Sequence, residues 1–482
     1  MLDTNEFGAL LGRLGFCDFS GVPCSYLAPL INYAINSKHF IMANNEGDAV
    51  AIAAGISLAS MGNIGEVLNE DSNNLQNLGA QSKNSKICDE KLRDSANEAH
   101  LDVRRSEAEA MRGDLSRKDR IFKNFGCVLM QNSGLSNALS PLTSLNHTFK
   151  IPIIGFVSLR GERNERGENT DEPQHELLGV ITDRLLETCQ IEYEFLDSNI
   201  NVAKAQLERA REVLDSHQCF FFIVREGTFA KVGLKDFSVC DEKLPDSANE
   251  AFLNANEILN ALKNPSETKT ACGNSRISLP TRLQALEILQ NLALKNSALL
   301  LATTGKTGRE LYEIDDTPNQ LYMVGSMGCV SSLALGLSLK ATNKVLAIDG
   351  DSALLMRLGV LSTNAYYAKA HNTGNFCHIL LDNQSHDSTG GQFNLSPFVD
   401  FCQIARSCGY ELVINARDLG EFRDTIERIL ERKSGGASFV YLRIAKGSKE
   451  NLGRPKVTPR QVAQRLAEFV ANPKIQRRQN EK

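Results

Sequence analysis

Short, almost wholly apolar runs followed by longer helical stretches recur along this chain, and they leave few folds open. IPIIGFVSL (151–159), CFFFIV (219–224), ALLLATT (298–304), KVLAID (344–349), CHILLDN (377–383) and SFVYLRI (438–444) all have the character of strands buried on both faces. Such strands alternating with helices predict parallel sheets in α/β layers. They occur in both halves of the chain, on either side of a polar stretch at 231–275. At 482 residues the chain is too long for one ordinary core. The pattern therefore predicts two doubly wound parallel-sheet α/β domains, 1–230 and 276–470, with 231–275 as linker and a charged tail at 471–482.

Two segments interrupt this plan. Between about 62 and 124 strand character nearly vanishes, and charge is dense from Cys88 to Arg120. The second segment is the linker, and the two share a repeat. CDEKLRDSANEAHL (88–101) returns as CDEKLPDSANEAFL (240–253), differing only at Arg93/Pro245 and His100/Phe252. Each copy carries a capping-box pattern, Ser95 with Glu98 and Ser247 with Glu250, so each can begin a helix. Two copies fall short of the roughly three stacked units a solenoid needs. Both are expected to be inserted surface sequence, dispensable to the chemistry.

Composition excludes several classes of function. A net charge of −5 gives no basic field, so nucleic acid is not an expected partner, and an anionic ligand must be met by a few local cations. No run approaches the ~20 apolar residues of a membrane helix. The N-terminus lacks the basic-then-apolar pattern of a signal peptide, so a cytoplasmic location is expected. Twelve cysteines are scattered without a C-x-x-C pair, which reads as thiols in a reducing compartment.

The chemistry is concentrated in AIDGDSALLMRLG (347–359) and HILLDNQSHDSTGGQ (378–392). Each begins as a strand, one ending at Gly350-Asp351 and the next at Asp382-Asn383. In a parallel sheet Asp351 and Asn383 then stand at strand C-termini, the edge where α/β sheets bind ligands. One carboxylate and one amide oxygen, with little other protein ligation, suit Mg²⁺, which keeps phosphate and water oxygens in its shell. Gly350 permits close backbone approach to a phosphate, and the following helix start adds free N–H groups. In the first half, FIMANNEGDAVAIAAGISLA (40–59) places Glu46 at a strand-to-helix junction before a helix of small residues suited to close packing.

These motifs resemble those of thiamine-diphosphate-dependent enzymes. By that resemblance Asp351 and Asn383 hold Mg²⁺, with the Ser385 carbonyl as a further ligand. Glu46 is the carboxylate that activates the cofactor's aminopyrimidine ring. LATTGKTGREL (301–311) resembles the diphosphate-anchoring loop, implying contacts from Thr304, Gly305, Lys306 and Thr307. MVGSMGCVSSLALGLSL (323–339) resembles the turn in which the Gly325 carbonyl accepts from the cofactor's amino group and Met327 wedges beneath it. The sequence departs from the usual pattern at Ser352, where glycine is common. Its Asp-to-Asn interval is also long, which AKAHNTGN (368–375) explains as extra loop on the far edge. The superfamily pairs the pyrimidine domain of one subunit with the diphosphate domain of another, implying a homodimer or homotetramer with active sites between subunits.

More narrowly, GVPCSYLAPLIN (21–32), MQNSGLSNALSPLTSL (130–145), RGER with DEPQHELLG (160–179) and LLDNQSHDSTGGQ (380–392) resemble the phosphonopyruvate decarboxylase family, whose near relatives act on sulfopyruvate. The resemblance implies decarboxylation of 3-phosphonopyruvate to phosphonoacetaldehyde and CO₂. His175, and His386 with Asp387, are then the candidate catalytic proton carriers. Arg160 suits bidentate binding of a phosphonate, with Ser25, Asn132 and Ser133 in the same pocket; Lys306 suits either phosphonate or diphosphate. A sulfopyruvate decarboxylase, a carboligating enzyme of the acetolactate synthase type, and a non-catalytic scaffold on the same fold are the alternatives.

Overall fold

The computed structural model describes residues 1–62, 124–235 and 279–472. Two six-stranded parallel sheets form its frame. The first has the order β2-β1-β3-β4-β6-β5, with β1 Asp18–Gly21, β2 Phe40–Met42, β3 Gly126–Gln131, β4 Ile154–Ser158, β5 Glu192–Phe195 and β6 Phe220–Val224. The second runs β13-β14-β10-β9-β7-β8, with β7 Leu299–Ala302, β8 Gln320–Tyr322, β9 Val345–Gly350, β10 Phe376–Asp382, β13 Leu412–Ala416 and β14 Ser438–Arg443. A small antiparallel ladder, β11 Ser385–His386 with β12 Gln392–Phe393, follows β10.

Each of the six apolar runs is a strand, and β3, β4, β6, β7 and β10 are buried almost throughout because helices cover both faces. The repeats at 88–101 and 240–253, and nearly all of the two segments that carry them, lie outside the described residues. One local expectation is corrected. Residues 368–371 complete the helix Val360–His371, which Asn372 ends in the left-handed region at φ 52°; only 373–375 form connecting chain before β10.

One helix pair dominates the packing between the two halves among the described residues. Glu46–Ser60 is buried nearly all round, because it lies between the first sheet and the helix Val330–Ser338 of the second half. Gly55 meets the backbone of Leu333 and Gly336, and Gly336 meets the Ile52 carbonyl; a Cβ at either glycine would collide with main chain. The small-residue pattern of 46–59 is thus used for an inter-domain crossing. Polar contacts flank it: Asn44 Nδ2 donates to the Gly359 carbonyl at 2.8 Å, and the Met42 N–H donates to Tyr367 Oη at 2.6 Å.

Lys340 adds an ion pair, its Nζ lying 2.6 Å from Asp18 Oδ2, which also accepts from Asn124 Nδ2 at 2.6 Å. Burial alone would raise the Asp18 pKa; the His39 hydrogen bond and the Lys340 charge outweigh it and lower the value from 3.8 to about 2. A depressed carboxylate stabilises the fold above its unfolded pKa and loses that contribution as pH falls through the folded value. Asp18→Asn should therefore cost roughly 2 kcal/mol at pH 7. Thermal midpoints of variant and wild type should converge between about pH 4 and pH 2; a gap that stays constant over that window would assign the loss to packing.

Candidate active site

β10, β9 and β7 are neighbours in the second sheet, so the loops at their C-terminal ends converge. They enclose a cavity of about 290 Å³ lined by Thr303 to Thr307, Met327, Gly350 to Ala353, Leu381, Asn383 and Ser385 to Thr389, with Arg282 behind. The expected diphosphate contacts Thr304, Gly305, Lys306 and Thr307 thus come together with Asp351, Ser352, Asn383 and Ser385. Gly305 caps the helix Lys306–Ile314 at φ 94°, a conformation that suits glycine and turns the helix's free N–H groups toward the loop. Gly350 faces open space where a side chain would stand. Met327 lies on the wall, whereas Gly325 packs against Ser144 of the first half, next to the pairing of Ser144 Oγ with Ser326 Oγ at 2.7 Å.

The donor set suits a hard divalent cation. Asp351 and Asp382 are both buried, and Ser396 Oγ reaches one carboxylate at 3.2 Å and the other at 2.9 Å. Burial first, and the neighbouring Asp382 second, raise the Asp351 pKa. A cation removes that conflict between buried carboxylates. Asn383 donates its amide N–H to Asp387 Oδ2 at 2.6 Å, which leaves its oxygen as the acceptor edge.

Asp387 is more committed than the sequence implies. Its Oδ2 also accepts from Arg282 Nη2 at 2.9 Å and from the Gly447 N–H at 3.1 Å. Although burial opposes it, the Gly447 hydrogen bond and the Arg282 charge hold its pKa below the usual value. A carboxylate so engaged is poorly placed to exchange protons. His386, half-buried beside it, does line the cavity.

Glu46 begins its helix behind the N-cap Asn45, whose side chain accepts from the Gly47 N–H at 2.8 Å. Asn137 Nδ2 donates to Glu46 Oε2 at 2.9 Å. Gly134, the glycine of the MQNSG string, leaves room for this carboxylate: a Cβ there would collide with it. In a single chain Glu46 does not line the Asp351 cavity. Nearby, Arg357 has its stem against Gly328 and its guanidinium on Asn45 and Asp48.

The remaining first-half expectations separate. Ser25 and Arg160 share an open cavity of about 1050 Å³ with Tyr26, Asp171 and Glu226. Arg160 gives Nε and Nη2 to Asp171 at 2.6 and 2.5 Å, which raises its own pKa and lowers that of Asp171. Its expected bidentate edge is therefore occupied, and Nη1, 3.4 Å from Ser25 Oγ, is the edge facing that serine. Asn132 is corrected as a pocket residue: it is fully buried, donating to the Arg160 carbonyl at 2.9 Å and to Thr182 Oγ1 at 3.1 Å. Ser133 stays exposed beside it. His175 is buried, 3.6 Å from Glu172, and does not line the Asp351 cavity. Asp171, Glu172 and His175 form the one compact His/Cys/Asp/Glu trio among the described residues, with Asp171 already held by Arg160.

Residues 303–442 match the family described as thiamine pyrophosphate enzyme, C-terminal TPP binding domain. The phosphonopyruvate decarboxylase of Streptomyces hygroscopicus is 33% identical over 476 residues, covering 98% of this chain and 95% of the relative. The chain belongs to the phosphonopyruvate decarboxylase family. The beta subunit of sulfopyruvate decarboxylase from Methanothermobacter thermautotrophicus is 38% identical over 138 residues, 29% of this chain and 71% of that subunit. Benzoylformate decarboxylase from Polynucleobacter necessarius shares the fold, with a TM-score of 0.57 at 12% identity over 93% of this chain and all of that one. The family match makes the chain a decarboxylase with a thiamine-diphosphate-binding domain, as the motifs imply.

Sequence reasoning passed over Gly134, Asn137, Asn394 and Ser396. The MQNSGLSNALSPLTSL string (130–145) was the available signal for the first two. Gly134→Ala should push the Glu46 carboxylate out of place and lower kcat on the order of tenfold to a hundredfold, with cofactor affinity little changed. Steady-state kinetics with cofactor titration would check this, and an unaltered kcat would show that the carboxylate need not stay where it is.

Proposed function

We propose that the chain decarboxylates 3-phosphonopyruvate to phosphonoacetaldehyde and CO₂ with thiamine diphosphate and Mg²⁺, at active sites shared between two copies. The observation that carries this reading is the single cavity joining Asp351, Asn383, Ser385 and the 303–307 loop in a chain related over nearly its whole length to a phosphonopyruvate decarboxylase. Thiamine diphosphate, when bound, supplies the carbanion and the electron sink that let a 2-oxo acid lose its carboxylate.

The chain's own residues do the rest. Asp351 and Asn383, with the Ser385 carbonyl, hold Mg²⁺; Thr304, Lys306, Thr307 and the N–H groups behind Gly305 hold the diphosphate. Gly325 and Met327 set the cofactor's bend, and Ser352 contributes a hydroxyl beside Gly350. Glu46 hydrogen-bonds the aminopyrimidine and holds the proton that activates the cofactor. His386 carries the proton that the aldehyde product takes up. Asp387 orients its neighbours instead of titrating. The Nη1 edge of Arg160 with Ser25 meets the phosphonate, and His175 supports the Arg160 loop from beneath.

Two facts favour a second copy. The 290 Å³ cavity is at the small end for a ligand site and has no first-half residue in its lining. Large apolar side chains, Phe393, Leu395 and Phe398, stand exposed in the chain that follows the cavity wall at 385–389. A homodimer or homotetramer in which Glu46 of one copy faces Asp351 of another accounts for both. Within one chain the domains divide at 1–230 and 276–470.

Release of CO₂ and aldehyde from phosphonopyruvate, sulfopyruvate and pyruvate, with and without Mg²⁺ and cofactor, tests the substrate. Phosphonopyruvate should be preferred; a kcat/KM favouring sulfopyruvate would instead support the second reading, which the beta-subunit similarity favours. Subunit sharing is tested by complementation. Glu46→Gln and Asp351→Ala should each be inactive alone, yet statistical hybrids should recover about a quarter of wild-type activity, because one site per hybrid dimer is intact. No recovery in verified hybrids would place both residues of each site in one chain.

A further inference from the structure

The segment that follows Asn383 returns to the site with an inverted pattern. Phe393, Leu395 and Phe398 are 80%, 61% and 83% exposed, whereas Asn394 and Ser396 between them are 7% and 2% exposed. Only Gln392–Phe393 is strand and Ser396–Phe398 forms a 3-10 turn, yet through both the polar side chains face inward and the large apolar ones face out. Burial of apolar surface favours the opposite arrangement. The observed one is therefore held by what the polar side chains do.

Both reach the carboxylate assigned to the cation. Asn394 Nδ2 donates to Asp351 Oδ2 at 2.8 Å and to Ser352 Oγ at 2.7 Å. Ser396 Oγ lies 2.9 Å from Asp382 Oδ1 and 3.2 Å from Asp351 Oδ2, its one proton shared between them, while its N–H donates to Asn394 Oδ1 at 3.1 Å. The near end of the same segment holds the other side-chain ligand, since Asp387 takes the amide N–H of Asn383. Residues 387–396 thus touch Asp351 and Asn383 from behind, and neither Asn394 nor Ser396 lines the cavity.

We propose that Asn394 and Ser396 are positioning residues for the cation. They fix the rotamer of Asp351 so that its remaining acceptor edge stays turned to the site, as Asp387 does for Asn383. This rests on the cation reading of Asp351 and adds the groups that make it selective. A ligand held by such supporting hydrogen bonds typically loses about 10- to 100-fold in metal affinity when they are removed.

The test uses Mn²⁺ as a spectroscopic substitute for Mg²⁺, titrated into the full chain with thiamine diphosphate and read by electron paramagnetic resonance. Asn394→Ala and Ser396→Ala should each weaken Mn²⁺ binding at least about tenfold and broaden the bound signal, whereas Ser396→Thr, which keeps the hydroxyl, should restore both. Glu427→Gln, on the exposed side of the helix Leu419–Glu431, should leave the affinity unchanged. Thermal melts without cation identify any variant that has failed to fold, and the two separate sites keep the test decisive. Affinity within twofold of wild type in folded Asn394→Ala and Ser396→Ala would overturn the proposal. If Asp351→Asn also binds Mn²⁺ normally, the cation reading itself falls; if it does not, only the positioning role is lost.

Discussion

The close crossing of the helices Glu46–Ser60 and Val330–Ser338 is the contact on which the rest of the molecule depends. Asp48 meets Ser332 at 3.0 Å and Ile52 meets Gly336, so the two helices run side by side in the same direction. Their N-terminal ends, one carrying Glu46 and the other the 325–329 turn, consequently lie at one end of the crossing. Close approach requires glycine at 55 and 336, where a Cβ would meet the facing backbone. The crossing thus fixes how the two separately wound sheets sit within one chain, while the proposed site pairs Glu46 with Asp351 of a second copy.

That crossing also buries a charge. Asp48 is 2% exposed, and burial raises its pKa to about 6 against the opposing Arg357 charge and Ser332 hydrogen bond. Arg357, 3.5 Å away, bonds the Asn45 side chain as well and so ties the start of the Glu46 helix to the residue that ends the Asp351–Met356 helix. Removing the guanidinium would leave a buried carboxylate without its counter-charge, a more costly state than never having had the pair. The arrangement links the start of the Glu46 helix to the end of the Asp351 helix through the Arg357 side chain.

Much of this was legible in the sequence, for a physical reason. Strands buried on both faces must be continuously apolar, and residues at their C-terminal ends must be polar to meet a ligand, so Asp351 and Asn383 stand out against β9 and β10. Glu46 is unremarkable by itself, since a carboxylate in a helix's first turn ordinarily complements the dipole; the motifs of the second half are what single it out. What escaped notice depends on contacts between chain segments far apart. Asn132 sits in a polar string at a strand end, and only the tertiary structure shows its amide spent on Arg160 and Thr182. Arg160 looked like a free cation because Asp171, which occupies its bidentate edge, lies across an intervening loop.

The 393–398 segment shows the limit of hydrophobic pattern as a guide. Phe393, Leu395 and Phe398 are large apolar side chains, and hydrophobicity alone would turn them inward. Two buried carboxylates, Asp351 and Asp382, reverse that choice, because each needs donors that apolar side chains cannot provide. Leaving a buried acceptor unsatisfied costs about 1–3 kcal/mol, more when it is charged. Asn394 gives one hydrogen bond to Asp351, and the one hydroxyl proton of Ser396 lies within reach of both carboxylates. Those contacts hold the segment with its polar side chains inward. The orientation of one surface segment is thereby set by the charge it supports, and the apolar residues left outside become surface suited to another subunit.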